Sequence, residues 1–137
     1  MDGKIFDVQR ASGFSSPAED YLEPRLEIAT WLVTNPQATF YFRMTGDALV
    51  QRGIYDQDIL VVDRSANALH GCLVIAVVDK DFVCRTLILR DGSYYLAADE
   101  DLIAVQGNEI WGVVTAACRR LLPHVLQKGG LAGVCAL

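Results

Sequence analysis

Chemistry needs side chains that attack, take a proton, hold a metal or carry charge, and this chain has few of them in promising company. Its four cysteines, Cys72, Cys84, Cys118 and Cys135, form no C-x-x-C pair, and its two histidines, His70 and His124, stand far apart. A zinc site has nothing to assemble from, and no metal or other cofactor is implied. Asp56 and Asp58 in "IYDQDIL" are carboxylates at a strand start with no histidine beside them, which is the pattern of turn formers rather than of a cation site. Ser65 in "VDRSANA" reads as a loop serine bonding its own turn. Cys72 and Cys84 lie in or beside apolar runs and read as packing residues, not nucleophiles. One stretch differs in kind. "FYFRMTGDALVQRGI" reads as a strand ending on a sharp Gly-x turn where a functional loop begins, and the residue the turn presents is Ala48. A methyl group attacks nothing.

The elements that must position these residues are mostly strands. With 137 residues, 52% of them hydrophobic, the chain has room for one domain with a real core. No apolar run approaches the ~20 residues of a membrane span, and "MDGKIFDVQR" lacks the order of a signal peptide, so the expected location is the cytoplasm. Twelve Lys+Arg against 17 Asp+Glu give a net charge of −5, which argues against direct binding to duplex DNA. Arg119 and Arg120 are expected to be a small solvated patch.

Residues 1–20 are polar, small and punctuated by Gly, Ser and Pro, and read as an extended arm. "LEIATWLVTNP" suits one short helix stopped by Asn35 and Pro36. "TFYFRM" then alternates Phe40, Phe42 and Met44 against Tyr41 and Arg43, and "DILVVD", "LVIAVVD", "FVCRTLILR", "SYYLAA" and "EIWGVVTAA" complete a set of strands. "DKD" (79–81) and "RDGS" (90–93) read as hairpin turns. Strands joined by short turns predict a mainly β domain over 21–122, not βαβ units. The glycine-rich stretch 123–137 is expected to be a loose tail.

Five blocks now matter together: "GFSSPAEDYLEPRLEI", "NPQATFYFRMTGDAL", "GIYDQDILVVDRS", "LHGCLVIAVVDKDFVCRTLILR" and "EIWGVVT". In order and approximate spacing they resemble the UmuD-like proteins, SOS mutagenesis proteins that share a self-cleaving domain with the LexA repressor. The resemblance covers roughly residues 9–120 and implies a mainly β, LexA/UmuD-type peptidase domain of curved, mostly antiparallel sheets behind an N-terminal arm. The arm is too short for the helix-turn-helix of a repressor, so the resemblance favours the UmuD-like branch.

The resemblance also implies a reaction. A serine hydroxyl attacks a peptide carbonyl, a neutral lysine takes its proton and backbone amides hold the oxyanion. The position matching the serine is Ala48, after Gly46-Asp47, and the position matching the lysine, in "FVCR", is Arg85. Alanine has no nucleophile, and arginine, with a pKa above ~12, stays protonated and takes no proton. The matching cleavage site is Ser12-Gly13, before "FSSPA", with Phe14 as the arm's anchor in the cleft.

Three readings follow. The first is a catalytically silent subunit that forms a homodimer and engages a RecA–single-stranded-DNA filament, a Y-family translesion polymerase subunit of the polymerase V type, or the sliding clamp. The second is an active self-processing peptidase whose natural serine and lysine are replaced at 48 and 85, or whose active site a partner chain supplies. The third is a regulator that poisons active relatives by pairing with them. Residues 109–117 and the segment around Phe82 are the expected dimer surfaces, with Trp111 either a core plug or an interface anchor.

Overall fold

The structure is a computed structural model that describes residues 24–122 and 134–137. The chain divides into two units, Met1–Thr34 and Asn35–Leu137. In the first, the described residues form one short helix, α1 (Ile28–Leu32), which buries none of its residues. It occupies the stretch where periodicity places a helix, and Pro36 opens a 3-10 turn just beyond it. Among the described residues no helix is long and apolar enough to cross a membrane.

The second unit is an eight-stranded sheet in the order β6-β5-β4-β3-β7-β2-β1-β8. The strands are β1 (Thr39–Arg43), β2 (Ile59–Asp63), β3 (Leu73–Val78), β4 (Asp81–Arg90), β5 (Ser93–Ala98), β6 (Asp101–Val105), β7 (Ile110–Cys118) and β8 (Val134–Ala136). Neighbours are antiparallel except β1 and β8, which run parallel. The β3–β4 hairpin turns on Asp79-Lys80 and the β4–β5 hairpin on Asp91-Gly92, all four with positive φ. That backbone twist matches the twist of the strands it joins.

β3 explains why its sequence lacks alternation. Leu73 and Ile75 point to one core cluster, with Phe42, Met44, Leu60 and Cys84, while Val74 and Ala76 point to another, with Leu87, Leu96 and Val113. A strand covered on both faces is apolar at every position. Phe42, Leu60, Ile75, Leu87 and Leu96 are fully buried, each contributing roughly 1.5–3 kcal/mol by leaving water.

β4 turns a corner. Its first half, through Thr86, pairs with β3, and from Leu87 onward it pairs with β5. Leu87 holds the bend by accepting from the Gly71 N–H and donating to the Cys72 carbonyl, both at 2.8 Å. Cys72 is half-buried beside this bend. At β7, Gly112 is required by close approach: a Cβ there would lie 2.7 Å from the Val62 side chain.

Two strands escape the sequence reading. β6 follows directly on "ADE" and is exposed at four of its five positions, so no buried face patterns it. β8 corrects the expectation of a loose tail for the final residues, 123–133 lying outside the described residues. The Leu137 N–H donates to the Arg43 carbonyl at 2.9 Å, the Thr45 hydroxyl donates to the Leu137 carbonyl, and Leu137 packs on the first core cluster.

Candidate functional site

The loop that carries Ala48 is built by extending the β1–β2 pair. The Met44 N–H donates to the Asp58 carbonyl at 2.8 Å and the Gln57 N–H to the Met44 carbonyl at 2.7 Å. Within that clamp Gly46 takes φ +89°, a left-handed backbone that a Cβ would strain. Its N–H donates to Asp56 Oδ1 at 2.8 Å. The chain then runs through a turn into a 3-10 segment at Val50–Arg52. Leu49 and Ile54 are buried pegs joined by an N–H to carbonyl bond of 3.1 Å, and between them they leave Ala48 facing out. The backbone N–H groups of Asp47 and Ala48 meet no acceptor among the described residues.

Asp58 fixes the base of the loop from below. It is buried, and its Oδ2 accepts from the Tyr55 N–H at 2.8 Å. Its Oδ1 faces Arg119 Nε at 3.2 Å, an ion pair without the alignment of a hydrogen bond. Arg119 also lies over the Tyr55 ring, 4.5 Å from its centre. This corrects the reading of Arg119 as bare surface charge: it neutralises a buried carboxylate, which would otherwise be costly to hold in the fold. Asp56 and Asp58 are both turn formers, as their spacing suggests.

The opposite wall is the corner of β4. Arg85 stands across from Val74 and its Nη1 donates to the Cys84 carbonyl at 2.8 Å. Arg52, reaching over from the loop, donates from Nη1 to the Thr86 hydroxyl at 2.8 Å. Between the walls lies a cleft of about 790 Å³, lined also by Ala97, Ala98, Asp99 and Glu100. Ala48 and Arg85, far apart in sequence, both line it. No serine, cysteine, lysine or histidine does so among the described residues, and its one hydroxyl, on Thr86, is held by Arg52.

Cys84 adjoins this wall but is no substitute nucleophile. Burial pushes its thiol up to about 12, against the weaker opposing pull of the Arg85 and Arg52 charges. Ser65 is equally inert, since its hydroxyl donates to Asp63 Oδ1 at 2.6 Å and accepts from Asn35 Nδ2 at 3.1 Å. The Ser65 hydroxyl, then its amide, hold the Asp63 carboxyl below the usual range. Ser12, Gly13 and Phe14 lie outside the described residues.

Away from the cleft, the first core cluster surfaces as an aromatic patch. Trp111 meets Phe40, Phe42 and Phe82 edge-on, with ring centres 5.1, 5.3 and 5.6 Å away. The Arg64 guanidinium caps its other side at 4.3 Å. Phe40 and Phe82 are exposed while Trp111 packs on the core, so Trp111 joins a core to a surface. Trp111 and the Phe82 segment stand out in the sequence, whereas the roles of Arg52, Arg64 and Arg119 do not, because their partners Thr86, Trp111 and Asp58 lie far away in the chain.

A turn after Gly46-Asp47 lines one cleft with the β4 corner on a mostly antiparallel sheet, and the family match assigns this arrangement to a serine-peptidase fold. The chain belongs to the Peptidase S24-like family, whose sequence profile covers residues 4–114. It is 37% identical over 122 residues to Protein MucA of Salmonella typhimurium, across 80% of each chain. It is 42% identical over 86 residues to Protein ImpA of Shigella flexneri, across 63% of this chain and 59% of that one. To Protein SamA of Salmonella typhimurium it is 33% identical over 114 residues, across 82% and 81%.

Proposed function

We propose that this chain is a UmuD-like accessory subunit in SOS-induced translesion synthesis, of the kind that serves a polymerase V type enzyme, and that it does not cleave itself. The observation that carries the second half is the lining of the cleft. The loop and the facing strand frame a cleft lined by Ala48 and Arg85, the two positions that by resemblance carry the serine and the lysine. A methyl group supplies no nucleophile and a guanidinium accepts no proton. What remains is a shaped cavity, which suits binding.

Its partners, by resemblance, are a RecA–single-stranded-DNA filament, a Y-family polymerase subunit and the sliding clamp, in the cytoplasm. A homodimer is supported by the patch of Phe40, Phe82 and Trp111. Exposed aromatics around a packed tryptophan, with Arg64 stacked on it, have the composition of an interface centre. With a net charge of −5, direct DNA binding has no part in the proposal.

The test is primer extension past an abasic site by the Y-family subunit with RecA filament, with and without this chain. Stimulation by the uncut chain is expected. No stimulation either by the uncut chain or by one starting at Gly13 would remove the accessory role. Sedimentation should give a dimer at micromolar concentration, and Trp111→Ala should shift it to monomer.

A further inference from the structure

The second core cluster reaches the surface at a place of its own. Ala66, Ala68, Tyr94 and Ile110 pack on that cluster and, with Val113, line an open cavity of about 470 Å³. Neither Phe40 nor Phe82 lines it, and it shares no residue with the cleft of Ala48 and Arg85. Arg64 is its one charged residue among those described. In a chain with 17 acidic residues against 12 basic ones, a cavity lined by a cation and by no carboxylate stands apart from its surroundings.

Arg64 is held in place before any ligand arrives. Its N–H donates to the Ala38 carbonyl at 2.8 Å and its Nε to the Trp111 carbonyl at 3.0 Å, while its guanidinium lies 4.3 Å from the centre of the Trp111 ring. The acid beside it in sequence is engaged elsewhere, because Asp63 Oδ1 accepts from the Ser65 N–H at 2.7 Å and from the Ser65 hydroxyl at 2.6 Å. Among the described residues neither Nη of Arg64 has an acceptor. With Nε tied back, the two terminal nitrogens are left as a ready fork. A group already ordered loses little freedom when it binds.

This arrangement selects a ligand. Two parallel N–H bonds from a guanidinium fit a carboxylate. A phosphate ester or a nucleic acid brings more negative charge than one cation offsets, on a chain whose net charge is −5. The floor of Ala66, Ala68, Ile110 and Val113 takes an aliphatic side chain, and Leu69 on the rim, 65% exposed, extends it. Because exposed loop residues bound the cavity on that side, it suits a length of chain laid across it rather than a small molecule sealed within. An extended segment puts residues i and i+2 on one face, about 6–7 Å apart, and so presents a carboxylate and an aliphatic group together.

We propose that this cavity docks an extended segment of a partner protein, with an Asp or Glu side chain seated on Arg64 and an aliphatic side chain two residues away on the floor of Ala66, Ala68, Ile110 and Val113. The proposal depends neither on the cleft being silent nor on the homodimer.

The experiment titrates the full, isotope-labelled chain with the peptide acetyl-Ser-Glu-Ser-Leu-Ser-amide and follows the backbone amide signals. Shifts are expected at Ala66, Asn67, Ala68 and Gly107, which line the cavity, saturating below millimolar peptide. The same peptide with Gln in place of Glu should bind roughly fivefold more weakly or worse, because its amide makes no charge-assisted pair. Arg64→Gln should bring the two peptides to equal affinity, and Arg64→Lys should restore only part of the difference, since an ammonium forms no fork. Ala68→Glu is the second variant: it puts a carboxylate of the protein's own into the cavity and should abolish binding, so the assignment stays testable if the Arg64 variants fail to fold. No saturation by the glutamate peptide at millimolar concentration, equal affinity of the two peptides for the unchanged chain, or undiminished binding by Ala68→Glu overturns the proposal. So does tighter binding of a version with phosphoserine in place of Glu, which would mark a phosphate site. Shifts confined to residues 47–52 and 97–100 would place the peptide in the other cleft and overturn it as well.

Discussion

The two walls of the cleft are made differently. The loop wall, from Met44 to Asp58, is held by backbone bonds, by Asp56 on the Gly46 N–H and by a buried Asp58 between Tyr55 and Arg119. None of these groups belongs to the positions that would do chemistry. The β4 wall is ordinary strand pairing with two guanidiniums laid over it. The shape of the site is therefore set by groups behind the loop, and its reactivity by residues that face solvent. A cleft built this way can lose its reaction without losing its form.

That contrast is open to breaking, beginning with the largest effect. Asp58→Ala should cost about 3 kcal/mol, because it strips the Tyr55 N–H and leaves Arg119 without its partner. The measure is a denaturant midpoint. Gly112→Ala tests the framework behind both walls and should cost about 1–3 kcal/mol through its clash with Val62, whereas a change within 0.3 kcal/mol would show that the sheet gives way easily. Substitutions of the facing residues should be nearly silent in the same assay. Ala48→Ser and Arg85→Gln are each expected within about 0.5 kcal/mol of the unchanged chain, and a loss as large as that of Asp58→Ala would erase the distinction between the walls.

The acid–base behaviour sharpens the picture of β4. The Cys84 thiol is raised in the fold from 9.0 to about 12, so the folded state favours its neutral form. Its contribution is complete below the ordinary thiol range and is lost as pH rises from there toward about 12, at roughly 1.4 kcal/mol per pH unit. Cys84→Ala should flatten the decline of stability between pH 9 and 11. In the native protein at pH 8, iodoacetamide should label the exposed Cys135 long before Cys84. Asp63 works the other way: its carboxyl is depressed, so its contribution is present above the usual carboxylate pKa and is lost as pH falls through the lowered value.

Much of this fold can be read along the chain because the strands follow local rules. β1, β2, β3, β4, β5 and β7 are β-branched or aromatic runs bounded by turn residues, and the Asp79-Lys80 and Asp91-Gly92 turns carry the positive φ that their residues tolerate. β6 is legible only in space, since an exposed edge strand has no apolar rhythm, and β8 depends on a parallel partner far away in sequence. Charge is the least legible feature. Nothing near Arg119 in the chain announces a buried Asp58, and nothing near Arg52 announces Thr86. Ala48 and Arg85 meet in one cleft only once the strands are assembled, so in sequence they stand out through family resemblance alone.

The proposal that the cleft keeps its form without its reaction is tested most directly by placing at 48 and 85 the serine and lysine that the family resemblance implies. Four full-length proteins, unchanged, Ala48→Ser, Arg85→Lys and the double substitution, are incubated at pH 10 and followed by intact mass. Ala48→Ser alone offers a hydroxyl with no proton acceptor, and Arg85→Lys alone offers an acceptor with nothing to activate. Only the double substitution is expected to lose residues 1–12 by cleavage at Ser12-Gly13, faster at alkaline pH as the lysine sheds its proton. Loss of those residues from the unchanged protein would contradict the account outright, and a double variant that stays whole under conditions where it remains folded would show that the cleft no longer has a working form.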